Sequence, residues 1–102
     1  QTLAETTQHV ITSAADNPDE IGAASYAYME LVGNTLYCFM WQRILAAAFA
    51  ASAEPNADTS YLEGLIKTGE FFLSRLLPQI NGLRLEIEAG AETLMAMTAD
   101  QF

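Results

Sequence analysis

Between Asn17-Pro18 and Glu54-Pro55-Asn56 the chain runs without a proline and without a polar face. Wound as a helix at ~100° per residue, this stretch puts Tyr26, Gly33, Tyr37, Met40 and Ile44 on one side. Tyr28, Leu31, Phe39, Ala46 and Phe49 fall on the other. Its strongly polar members, Glu30, Asn34, Gln42 and Arg43, scatter round the circumference. A helix that is apolar all round must be buried all round or meet a partner. Asn17 reads as its N-cap, Pro18 as its first helical position, and Asp19 and Glu20 suit the positive helix end. Ending near Ala53, it would be ~50 Å long at ~1.5 Å per residue.

The flanking segments also read as helices, and nothing shows the period-two alternation of a strand. Residues 2–15 place Leu3, Val10, Ile11 and Ala14 on one stripe, which Thr6 and Thr7 weaken. Ser60-Tyr61-Leu62-Glu63 has the form of a capping box opening a third helix. There Tyr61, Leu62, Leu65, Ile66, Gly69, Phe72, Leu73 and Leu76 make a broad apolar stripe, and Glu63 and Lys67 form an i,i+4 pair. Pro78 cannot donate its amide, so the helix is expected to kink or break there. A final helical segment over residues 81–98 turns Leu83, Ile87, Gly90, Leu94 and Met97 inward and leaves Arg84, Glu86, Glu88 and Glu92 in solvent. Short connections make neighbours antiparallel. The expected fold is all-α, an antiparallel up-and-down bundle of three to four helices in one domain spanning residues 1–102, the last helix kinked or broken near Pro78. The other segments of so small a chain leave part of the long helix uncovered, so an exposed apolar patch is expected.

Charge narrows the partners. Thirteen acids against four bases give a formal charge of −9 in 102 residues, which repels phosphate backbones and anionic lipid and excludes nucleic-acid binding. Arg43 stops the apolar run before it is long enough to span a bilayer. A lone cysteine and a lone histidine exclude disulfide scaffolds and His-rich metal sites, and a reducing cytoplasmic setting fits. The first residue, Gln1, suggests a piece of a longer chain.

No residues gather into a catalytic pattern. Glu5 and His9 are spaced Glu-x-x-x-His rather than the Glu-x-x-His of di-iron bundles, and they read as solvated surface. Cys38 has no lysine or histidine within a helical turn and reads as a structural thiol. Glu86, Glu88 and Glu92 lack the oxygen-rich loop that calcium needs. The glycines form no phosphate-cradling loop, and Gly64, Gly69 and Gly90 fit close helix contacts instead. The aromatic residues fit core or interface better than a ligand cavity. Arg43 and Arg75 each interrupt an apolar region, either pairing with an acid of the domain or reaching across an interface.

Two stretches carry a resemblance. Residues 24–48 hold Tyr28, then Leu31 and Gly33 as Leu-x-Gly, then Trp41 and Arg43 as Trp-x-Arg. Residues 67–97 hold Phe71, Phe72, Arg75, Leu76, Leu77 and Pro78, followed by Ile87-Glu88-Ala89-Gly90-Ala91 and Leu94-Met95. In this order they resemble the extra C-terminal domain of bacterial acyl-CoA dehydrogenases. Gly69 stands where a residue such as alanine is expected, and residues 54–59 match nothing distinctive. The resemblance implies a parent flavin enzyme that removes hydrogens from the α and β carbons of an acyl-CoA thioester. Its glutamate base and FAD would lie in dehydrogenase domains upstream of Gln1. By that implication this sequence carries no catalytic, cofactor-binding or metal residue and is not itself catalytic. It would be a structural appendage that packs on the dehydrogenase body or between subunits of a homo-oligomer. Tyr28, Tyr37, Trp41, Arg43, Phe72 and Arg75 are the candidate interface residues. The rival expectation is a stand-alone helical module that dimerises or holds an apolar ligand, and a third is a sensor or scaffold domain of a regulatory protein.

Overall fold

The computed structural model describes residues 1–102, all of whose regular elements are helical. Helix α1 spans Thr2–Asp16, α2 Asp19–Ser52, α3 Thr59–Phe71, α4 Ile80–Glu88 and the short α5 Glu92–Met95. A π-helical stretch, Phe72–Leu76, and a 3-10 turn, Leu77–Gln79, join α3 to α4, and a second 3-10 turn covers Ala99–Gln101.

Asn17 separates the first two helices because it serves both. Its extended backbone (φ −144°, ψ 105°) ends α1, with its amide donating to the Ser13 carbonyl at 2.9 Å. Its side-chain oxygen accepts from the Asp19 amide at 3.1 Å, which supplies one of the orphan donors at the start of α2. Pro18 occupies the turn, and the helix begins one residue later than expected. The start of α3 differs more. Asp58, not Ser60, is the cap: its carboxylate accepts from the Tyr61 amide at 3.1 Å, while Ser60 lies inside the helix. Either residue type can cap, and a carboxylate gains more from the positive helix end. The expected Glu63–Lys67 pair does not form; the ion pair present is Arg84–Glu88 at 3.7 Å.

Across Pro78 the helical conformation persists but changes ring size, from α to π to 3-10 and back to α. The i→i−4 pattern cannot pass a residue without an amide proton. The expected single segment over residues 81–98 is instead interrupted at Gly90, whose φ of +81° favours a residue without Cβ. Leu94 and Met97, expected to face inward, are therefore exposed beyond the break.

The residues group into two compact units: Gln1–Gly33 with Ile80–Phe102, and Asn34–Gln79. In the first, α1 packs on α4, and the core is Ala24, Ala27, Leu31 and Ile87, with Leu3, Val10, Tyr28, Ile80 and Leu83 against it. The inward face of α1 is rotated from the expected stripe: Thr6 is 1% exposed, whereas Ile11 is 59% exposed. In the second unit Ala48, Leu62, Gly69 and Phe72 are buried.

Candidate functional site

Five of the six candidate interface residues fall in the second unit. Phe72 is buried and meets the exposed Tyr37 ring edge-on, with centroids 6.3 Å apart and planes at 89°, a favoured aromatic geometry. Trp41, half-buried, lies with Leu45 over Gly69, so closely that a Cβ there would come within 2.8 Å of Leu45 Cδ2 and 3.1 Å of Trp41 Cε3. Gly69 thus makes the close helix contact anticipated for it. Gly64 does not, since a Cβ there would meet open space. Gly90 approaches a side chain rather than a helix: a Cβ on it would stand 3.2 Å from a Glu20 carboxylate oxygen. Arg43 is exposed with its guanidinium 5.8 Å from the Phe39 ring centroid, a cation–π arrangement within α2. Arg75 is exposed, and neither arginine has a carboxylate at ion-pair distance.

Tyr28 belongs to the first unit and is half-buried. Thr7 Oγ1 donates to the Leu3 carbonyl at 2.7 Å and lies 2.6 Å from Tyr28 Oη. A hydroxyl has one proton, so Tyr28 is the donor to Thr7. This bond ties α2 to α1 and stands the Tyr28 ring beside an open groove of about 430 Å³. The groove wall is formed by Val10 on α1 and by Ile21, Ala24, Ser25, Met29 and Val32 on α2. A second groove of about 430 Å³ lies in the second unit between Ile44, Ala47, Ala51 and the α3 residues Tyr61, Leu62 and Leu65.

The groove of the first unit was not picked out in the sequence. Its signal was present in the recurrence of Ile21, Ala24, Tyr28, Met29 and Val32 at three- and four-residue intervals. An apolar circumference hides any such face, because every rotation of the helix offers a comparable one.

Chemically reactive groups stay apart. His9 is half-buried on α1, Glu5 is exposed, and Cys38 is a half-buried free thiol on α2. No three His, Cys, Asp or Glu residues come together in a group able to hold a metal. Gly22, Gly33, Gly64 and Gly82 all lie within helices, so they form no turn of the kind that cradles a dinucleotide phosphate. No helix is long and apolar enough to cross a membrane.

These features define an acidic, all-helical domain with large exposed apolar faces, Tyr26, Met29, Leu36 and Phe49 prominent among them. The sequence matches the family described as "Acetyl-CoA dehydrogenase C-terminal like" over residues 1–98, and the chain belongs to that family. No curated protein and no solved structure matches the chain.

Proposed function

We propose that the chain is the C-terminal structural domain of a bacterial, cytoplasmic, FAD-dependent acyl-CoA dehydrogenase. It packs on the dehydrogenase domains upstream in the same chain and contributes to contacts between subunits of a homo-oligomer. The observation that carries this reading is the family match over residues 1–98. It is supported by the exposed apolar side chains along α2, where solvent meets Leu36, Tyr37, Phe39, Met40 and Phe49. Large exposed apolar side chains in this number mark an association surface. The unpaired Arg43 and Arg75 suit the same role, since a guanidinium forms bidentate bonds with a carboxylate across an interface.

In this reading the oxidation of the acyl-CoA α,β bond belongs to the upstream domains. FAD would be held there. The domain's own residues fix how the catalytic body is packed and supply no acid, base or nucleophile.

The test is an intact-mass measurement of the natural gene product, captured with an antibody to this segment. A product several times heavier than 11.1 kDa that releases FAD on denaturation supports the reading. A product of about 11.1 kDa without flavin overturns it. That outcome would favour a stand-alone dimerisation or apolar-ligand module, a reading to which the groove beside Tyr28 lends support.

A further inference from the structure

We infer that the solvent face of α2 in the second unit, centred on Arg43, seats an apolar partner helix that carries one Asp or Glu opposite that arginine. This deepens the association role proposed for α2 and rests on it, but not on the presence of flavin in the parent chain.

The face is built by one helix within one unit. At ~100° per residue, the positions three, four and seven residues either side of Arg43 fall within about 60° of it. They are Leu36, Phe39, Met40, Ala46, Ala47 and Ala50, all apolar and all exposed. Trp41 and Leu45, which pack over Gly69 of α3, and the buried Ala48 lie at least ~140° away. The Arg43 face thus points away from α3 and into solvent. From Leu36 to Ala50 it runs roughly 21 Å, about four turns, at ~1.5 Å per residue. A docked helix sets its i, i+3, i+4 and i+7 anchors over such a length.

Arg43 selects the occupant because it lines the face itself. Its guanidinium lies 5.8 Å from the Phe39 ring centroid and has no carboxylate at ion-pair distance. Covering the apolar residues around it takes this charge out of water, which is costly unless the partner supplies a hydrogen-bonding anion. A carboxylate does so through two parallel bonds. Size sets the rest of the pattern, with Leu36, Phe39 and Met40 bulky on one side of Arg43 and Ala46, Ala47 and Ala50 small on the other. The partner ridge is therefore small against the first three and bulky against the alanines, with its acid between. A second copy laid antiparallel would match large to small but set Arg43 against Arg43, like charges in a dry contact. An anionic lipid surface is repelled by the net charge of −9, and a convex helix face encloses no small molecule.

The probe is a set of synthetic helical peptides with alanines at one end of the ridge, leucines at the other and uncharged polar residues elsewhere. They differ only in the central ridge residue, which is Glu, Gln or Lys. Each is titrated by calorimetry into the full chain and its variants. The Glu peptide is expected to bind the full chain about tenfold or more tighter than the Gln peptide, and the Lys peptide is not expected to bind. Arg43→Glu, at an exposed position, is expected to keep the helix signal and reverse the order, so that the Lys peptide binds and the Glu peptide does not. Leu36→Gln with Met40→Gln is expected to weaken the Glu peptide about tenfold or more. Ile21→Gln with Met29→Gln in the first unit leaves it unchanged. Should Arg43→Glu disturb folding, the ranking of the peptides on the unaltered chain decides the point by itself. Overturning results are equal binding of all the peptides, Glu-peptide binding that survives Arg43→Glu, no binding, or self-association of the chain that Leu36→Gln with Met40→Gln dissolves. None of these depends on the mass or flavin content of the gene product, so this inference and the enzyme reading fail separately.

Discussion

One helix, α2, passes through both units, and its two halves are used differently. Before Gly33 it buries Ala24 and Ala27, small side chains that let neighbouring helices approach, together with the larger Leu31. After Asn34 it buries Ala48 alone, while Trp41 and Leu45 reach across to a glycine on α3. In the first unit α2 supplies two buried alanines beside Leu31, and Leu3, Val10, Leu83 and Ile87 of its neighbours fill the space around them. In the second, α2 supplies the bulk and α3 gives way at Gly69. The same apolar character thus serves two packing solutions, and what decides between them is where the small residues lie.

The largest expected effect tests the second solution. Phe72→Ala removes a buried ring and its edge-on partner contact, and a loss of about 4 kcal/mol in unfolding free energy is expected by chemical denaturation. Amide exchange should accelerate more in Asn34–Gln79 than in Gln1–Gly33; equal acceleration would erase the distinction. Leu31→Ala is the counterpart in the first unit. Leu31 is 0% exposed, and its truncation should cost about 3 kcal/mol, with faster exchange centred on α1 and α4.

Glycines sharpen the comparison. At Gly69 an added methyl group overlaps Leu45 and Trp41, so Gly69→Ala is expected to lose about 1–2 kcal/mol. At Gly64, in the same helix, the methyl group meets nothing, and Gly64→Ala should gain up to about 1 kcal/mol from helix propensity. Thermal melts of the two variants should therefore shift in opposite directions. In the first unit the buried Thr6 hydroxyl has no hydrogen-bond partner. Thr6→Val keeps the shape and removes the unpaired group, so a gain of about 1 kcal/mol is expected in denaturant midpoints.

The smallest effect lies in the last turn. The Thr98 hydroxyl donates to the Asp100 carboxylate and holds its pKa below the usual aspartate range. A lowered folded-state pKa contributes stability above the ordinary value and loses it as pH falls through the lowered one. The turn should loosen only in acid, and Thr98→Ala should move the Asp100 titration, followed by NMR, back toward the ordinary range.

The helical class, the long apolar helix and the break at Asn17 were legible because each rests on local chemistry. Asn17 and Pro18 act within a few bonds of their neighbours. Misplaced features depended on choices between local equivalents. Asp58 and Ser60 are both competent caps, and the backbone took the earlier one. Burial of Thr6 rather than Ile11 reflects the packing of α1 on α4, which α1's own periodicity does not encode. Gly90, expected at a helix contact, ends a helix instead, and the positive φ that marks this is a backbone property the residue type alone does not reveal. Among the interface candidates, Phe72 and Trp41 are occupied largely within their own unit, whereas Tyr37, Arg43 and Arg75 remain accessible. Tyr28 is half-buried and Tyr37 exposed, so residue type alone could not separate covered candidates from accessible ones.

The continuity of α2 also bears on how the chain acquires its structure. Starting a helix is unfavourable, while each added residue extends it readily. Because one uninterrupted helix serves both units, that initiation barrier is crossed once. Whichever half orders first hands the other a seed already wound. The growing end must then pass Gly33, a mid-helix glycine at the last position of the first stretch. There propagation loses about 1 kcal/mol relative to alanine. Gly33 is thus a brake on elongation rather than a break in structure, and Gly33→Ala should speed folding more than it slows unfolding.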